Sequence, residues 1–163
     1  EGMKLVELRL NNAPVASIEA LRGMPLRRLY LFGTKVSDLS PLRGSPVEEL
    51  WLNKAPVESI APLQGCPLVS LTLHETKVRD LSPLAGSGLQ RLHIAETPVS
   101  DLTPILNLPL TRLVFTPSRI TTGLQELRNM TTLRELGTRF DDDGSGLMPP
   151  ERFWEALASG EIR

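Results

Sequence analysis

Apolar residues recur along this chain with a period of 21. Leucine or valine stands at Leu5, Leu26, Val47, Leu68, Leu89 and Leu110. Three residues on come Leu8, Leu29, Leu50, Leu71, Leu92 and Leu113, and two further on Leu10, Leu31, Leu52, Leu73, Ile94 and Phe115. The frame continues with Val15, Val36, Val57, Val78, Val99 and Ile120, then Ile18, Leu39, Ile60, Leu81 and Leu102, and closes with Leu21, Leu42, Leu63, Leu84 and Ile105. Columns held in register through successive copies define a tandem repeat.

Each repeat predicts the same elements. In "LRRLYL" (26–31) the last two leucines alternate with Tyr30, the period of a strand with one buried face. One such strand cannot bury that face alone, so successive copies must stack, each pairing with the next in parallel. The nine residues "DLSPLRGSP" (38–46), repeated nearly unchanged at 80–88, then read as a return corner. Ser40 before Pro41 resembles a hydroxyl cap with proline at the first helical position; Ser82–Pro83 and Thr103–Pro104 repeat it, and Ala61–Pro62 lacks the hydroxyl. Gly44, Gly65 and Gly86 end the corner where a left-handed residue is needed, with Asn107 as the next substitute. Only about one turn fits, which predicts short 3₁₀ turns rather than long helices. Pro25, Pro46, Pro67 and Pro109 precede the first core residue, where no ladder donor is lost.

These columns resemble the leucine-rich repeat family, whose pattern is L-x-x-L-x-L-x-x-N-x-L. The "DLSPL" corner is similar to the bacterial, internalin-like branch. The 21-residue form resembles arrays in large bacterial proteins, some attached to serine/threonine kinases. The resemblance implies a right-handed α/β solenoid, an arc with a parallel concave sheet, short 3₁₀ turns on the convex side and a C-terminal helical cap. One departure is visible. The family's asparagine column holds Ala13, Thr34, Ala55, Thr76, Thr97 and Ser118, so threonine hydroxyls stand in for part of a buried asparagine ladder.

The pattern changes after Leu110, because the next equivalent residue is Leu133, 23 positions on. "TGLQELRNM" predicts a short helix with Thr122 and Gln125 as a capping box and Leu124 and Leu127 inward. Leu133 and Leu136 begin a seventh strand ending at Gly137. The array therefore covers 1–137, and 138–163 is a loop and capping helix. The acidic cluster Asp141–Asp143 does not fit a calcium loop: with Gly144 as the invariant glycine, the first ligand position is Arg139 and the twelfth Pro150. "PPERFWEALASGEIR" closes the chain as a helix whose stripe is Phe153, Trp154 and Leu157, suited to covering the end of the stack. At the other end, "GMKL" (2–5) matches "GMPL" (23–26). The chain is thus expected to open inside a corner, as a piece of a longer protein, and its uncapped first strand to offer an edge for a homodimer.

Composition narrows the function classes. Over 163 residues, 18 Lys and Arg against 19 Asp and Glu give a net charge of −1, without the basic excess of a nucleic-acid binder. No apolar run approaches the roughly 20 residues of a membrane span. A single cysteine, Cys66, at the corner position shared by Met24, Ser45 and Ser87, rules out an internal disulfide framework. No phosphate-binding glycine motif, kinase catalytic loop or nucleophile elbow is present. No cofactor and no catalytic residue is expected.

Function is then sought where copies differ without disturbing the core, at the outward strand positions. The middle column reads Arg9, Tyr30, Trp51, Thr72, His93 and Val114; the next reads Asn11, Phe32, Asn53, His74, Ala95 and Thr116. The column before reads Glu7, Arg28, Glu49, Ser70, Arg91, Arg112 and Glu135, with Glu7, Arg28 and Glu49 spaced for a charge ladder. Tyr30, Phe32 and Trp51 gather three of the chain's seven aromatic residues on two adjacent strands. Aromatic side chains are favoured interface anchors, although mutual packing or cover from a neighbouring segment would also place them there. The concave face is read as the surface for a protein or peptide partner, with Arg9, Arg28, Tyr30, Phe32, Glu49, Trp51, His74 and His93 as its contact residues. A structural spacer is the alternative. A metal-dependent site at His74 and His93 is a further one, weakened by a diagonal spacing of about 7–8 Å and no evident third ligand.

Overall fold

The structure, a computed structural model, describes residues 5–139 and 146–163. The calcium-loop question at Asp141–Asp143 and the opening residues Glu1–Lys4 lie outside them. Seven three-residue strands form one parallel sheet in sequence order: β1 (Glu7–Arg9), β2 (Arg28–Tyr30), β3 (Glu49–Trp51), β4 (Ser70–Thr72), β5 (Arg91–His93), β6 (Arg112–Val114) and β7 (Glu135–Gly137). The register follows the repeat, with Leu8, Leu29, Leu50, Leu71, Leu92, Leu113 and Leu136 paired one to the next. From β2 onward these leucines are fully buried, as are Leu31, Leu52 and Leu73 beside them. Each coil closes over its neighbour's leucines, which is why no coil needs a second layer of helices.

The corners are 3₁₀ turns at Glu19–Leu21, Ser40–Leu42, Ala61–Leu63, Ser82–Leu84 and Thr103–Ile105. The cap differs from the expected one. Ser40 lies inside its turn, and the capping acceptor is Asp38, whose carboxylate takes the Ser40 N–H at 2.8 Å and the Ser40 hydroxyl at 2.9 Å. Asp80 does the same for Ser82, and Asp101 accepts the N–H of Thr103. Ser59 accepts the N–H of Ala61, so the corner that appeared to lack a hydroxyl has one two residues earlier. An acceptor two residues before the turn closes a local ring that the turn's own hydroxyl cannot reach. The bond from the Ser40 backbone, then that from its hydroxyl, holds the Asp38 carboxyl below the ordinary aspartate range.

Gly23, Gly44, Gly65 and Gly86 are left-handed as the corners require, but Asn107 is absent from the positive-φ residues. Leu106 before it stays right-handed, where the equivalent Arg43, Gln64 and Ala85 are extended, so this corner continues its turn by one residue and needs no left-handed residue after it. A second left-handed column follows the strands, at Asn12, Gly33, Lys54, Glu75 and Glu96. Lys54, Glu75 and Glu96 hold φ of 60, 56 and 57° at a cost of about 1–2 kcal/mol each.

The asparagine ladder is replaced by something more local. Thr34, Thr76 and Thr97 are buried and donate their hydroxyls to the carbonyls of Leu31, Leu73 and Ile94, three residues back, at 2.6–2.8 Å. These bonds lock each coil onto itself rather than onto the next.

The far end closes differently from the rest. Helix α1 (Leu124–Arg128) begins at Gly123, with φ of 90° and no side-chain cap. Thr122 instead forms a parallel bridge with Asp101, so the expected capping box is not made. A Cβ at Gly123 would stand 3.1 Å from that of Leu102. Beyond β7, Met148 pairs antiparallel with Leu136 through two backbone bonds of 2.8 and 2.9 Å, which covers the last strand's open edge. Helix α2 (Pro150–Ser159) then lies over the end of the core. Phe153 and Ala156 are its buried residues, while Trp154 and Leu157 are half-buried against the flank of α1. The stripe read from the sequence is therefore rotated: Phe153, ring to ring with Phe115 at 5.6 Å, is the plug.

Candidate functional site: the concave face

Alternation along each three-residue strand turns its first and last side chains away from the core. The sheet therefore lays the variable columns out as rows across β1–β7. Two of the aromatic residues meet. Tyr30 and Trp51 are register partners with ring centroids 5.1 Å apart and planes at 86°. The Arg9 guanidinium covers the Tyr30 ring at 4.7 Å, and the Lys54 ammonium stands 5.8 Å from the Phe32 ring. Tyr30 is only 6% exposed, whereas Phe32 and Trp51 are half-exposed. The expected patch is thus partly a packed cluster, with Phe32 and Trp51 the residues a partner can reach. Burial, reinforced by Glu49 and a hydrogen bond to it, raises the Tyr30 hydroxyl above its ordinary pKa.

Phe32 and Trp51 also wall a cavity of about 450 Å³, with Asn11, Asn53, Lys54 and His74. That volume lies within the roughly 300–1,000 Å³ usual for ligand sites. Asn53 had not stood out in the sequence. It is 1% exposed, and its Oδ1 has no hydrogen-bond partner among the described residues.

The charge ladder is only half made. Glu7 accepts from Arg9 and from Arg28, each at 2.7 Å, while Glu49 forms no ion pair among the described residues. At the other end Arg112 pairs with Glu135 at 2.6 Å. Ion pairs this exposed are screened by solvent and contribute little to stability. They set charge pattern more than stability.

The histidines sit on β5 and just beyond β4. His74 Nδ1 is 3.1 Å from the Ala95 carbonyl and Nε2 is 2.9 Å from Glu75, so both nitrogens already face acceptors. Among the described residues no group of three or more His, Cys, Asp or Glu is placed to hold a metal. Burial first, then the charges of Arg112, His74 and Arg91, pushes His93 down to about 4. Folded His93 therefore stays neutral while an unfolded histidine titrates near 6.5. The sign follows: stability is full above about pH 6.5 and falls as pH drops toward 4, because only the unfolded state takes the proton. The drop should approach roughly 3 kcal/mol. Denaturant unfolding across pH 4–7 should show this slope in the parent and lose it in His93→Gln; equal slopes would mean that His93 is not the titrating group.

Cys66 is buried in the corner and donates to the Leu42 carbonyl at 3.5 Å, away from this face. No helix of the described residues is long and apolar enough to cross a membrane.

No family model matches the sequence, and no curated protein does. Solved structures do. The chain is similar to an internalin (inlF) from Listeria monocytogenes, with 26% identity and a TM-score of 0.69 over 82% of this chain and 47% of that one. It is also similar to an internalin C2 from the same organism, with 25% identity and a TM-score of 0.69 over 81% of this chain and 70% of that one. The chain thus spans about half the length of the first of these. Its fold is that of a leucine-rich-repeat solenoid, internalin-like, with a helical C-terminal cap.

Proposed function

We propose that this solenoid is a non-catalytic protein- or peptide-binding scaffold, a segment of a larger bacterial protein, that recognises its partner on the concave face. The observation that carries this reading is the cavity beside half-exposed Phe32 and Trp51, set on a sheet whose core columns stay apolar while its outward columns change chemistry. Aromatic anchors beside a cavity are the usual centre of a protein interface. Arg9, Arg28, Tyr30 and Glu49 hold that centre in shape, and His74 forms its far wall.

Peptides selected from a random display library provide the test. Trp51→Ala and Phe32→Ala should each weaken the selected binders by at least about tenfold, the loss of a hot-spot contact above 1 kcal/mol, with the fold retained. Binders indifferent to both, yet lost on a convex change such as Arg43→Glu, would overturn it. Mutual packing of Tyr30 and Trp51 supports the spacer reading instead, and failure to select any binder would favour it.

The outer edge of β1 is a second surface. Leu5 and Val6 there are 39% and 42% exposed, the exposed large apolar residues of the described chain. In the isolated chain this edge should pair with a second copy. Light scattering should give a mass that rises with concentration; a monomer at all concentrations would contradict it.

A further inference from the structure

On the concave face the cations are distributed unevenly in their pairing. Arg9 and Arg28 share Glu7, Lys54 reaches Glu75 at 3.7 Å, and Arg112 is held by Glu135. Arg91, exposed on β5, has no ion pair or side-chain hydrogen bond among the described residues. Its register partner on one side is Arg112 and on the other Ser70. Like charges directly opposite on neighbouring strands destabilise a sheet. Glu135 meets the charge of Arg112, while no carboxylate of the described residues pairs with Arg91. Of the nearby carboxylates Glu48 is held by Arg27 at 2.7 Å, and among the described residues neither Glu48 nor Glu49 forms an ion pair with Arg91. Arg91 opens onto a cavity of about 350 Å³ that it shares with Arg28, Glu49, Val69 and Ser70. The positive field is felt by its neighbour, since Arg112 and Arg91 both help keep His93 neutral.

We infer that Arg91 receives a carboxylate of the bound partner, so that the concave face recognises an acidic segment of a protein. This rests on the concave-face reading and narrows it to one partner chemistry. A guanidinium whose donors are unused among the described residues can take a carboxylate in a bidentate fork, which fixes orientation as well as charge. The distance to the aromatic anchor sets a spacing. Trp51 and Arg91 lie two strands and two residues apart, about 12 Å, which is three or four residues of extended chain. The partner segment carries an apolar residue over Phe32 and Trp51, and an aspartate or glutamate three or four positions away.

The test uses peptides selected from a random twelve-residue display library on the 163-residue chain. Expected is an enrichment of Asp or Glu three or four positions from an aromatic or aliphatic residue. Arg91→Gln should weaken those peptides by at least about threefold, the upper range for one exposed ion pair, while Arg43→Gln on a corner leaves them unchanged. Selection on Arg91→Glu should replace the acidic preference by Lys or Arg. Binders that depend on Trp51 but show no acidic preference would overturn this inference and leave the concave-face reading standing. Acidic binders weakened equally by Arg43→Gln would overturn it as well, because the attraction would then be non-specific. Binders that depend on neither Trp51 nor Arg91 would remove both.

Discussion

Replacing Phe153 by alanine is expected to lower stability by about 3–5 kcal/mol, the range for deleting a large buried aromatic. Phe153 is fully buried and lies between Phe115, the last aromatic of the repeat columns, and Trp154, edge-on at 5.2 Å. In a solenoid each coil is supported only by its neighbours, so the terminal coil depends on whatever covers it. Here the cover is one ring on α2, with Ala156 beside it. Removing the ring leaves a cavity against β7 that no further coil can fill. Trp154→Ala should cost less, because Trp154 is half-buried and rests on the flank of α1. Denaturant unfolding of both variants gives the comparison. A loss under about 1 kcal/mol for Phe153→Ala, or a larger loss for Trp154→Ala, would mean that α2 is not the plug described.

Leu71→Ala should cost about 2–5 kcal/mol. Leu71 is fully buried at the centre of the sheet, with Leu50 and Leu92 as its register partners on either side. Those leucines project from strands fixed in parallel pairing, so they cannot close over the missing volume. The effect should also be transmitted along the array, because breaking the middle coil separates two short stacks. A single unfolding transition shifted to lower denaturant fits this picture. A shift under about 0.5 kcal/mol would place the leucine column outside the core.

The strands and corners were legible because the repeat is a physical rule stated several times. Leu29, Leu50, Leu71, Leu92 and Leu113 identify their own register, since a one-residue slip in any copy would turn its leucine into solvent. What the repeat does not fix was misread. The corner cap is Asp38 and its equivalents, because a carboxylate two residues upstream reaches N–H groups that the serine cannot. The left-handed column at Lys54, Glu75 and Glu96 gave no sign, as these are not residues that announce a positive φ. At the site, the columns placed Tyr30 and Trp51 together correctly, but exposure depends on neighbours. Arg9 lies over Tyr30, and no spacing rule says which way that long side chain turns. Asn53 and Arg91 escaped notice for a related reason: their significance lies in which bonds they do not make with the rest of the chain.

In the proposed function the coils are a rigid support and the outward columns do the recognising. Backbone amide chemical shifts, followed while a selected peptide is titrated into the chain, test it most directly. Perturbations should concentrate on β2–β5 and the residues just after them, around Phe32, Trp51, His74 and Arg91, with the corners at Ser40–Leu42 and Ala61–Leu63 unmoved. Shifts centred on those corners, or on the flank between α1 and α2, would contradict it.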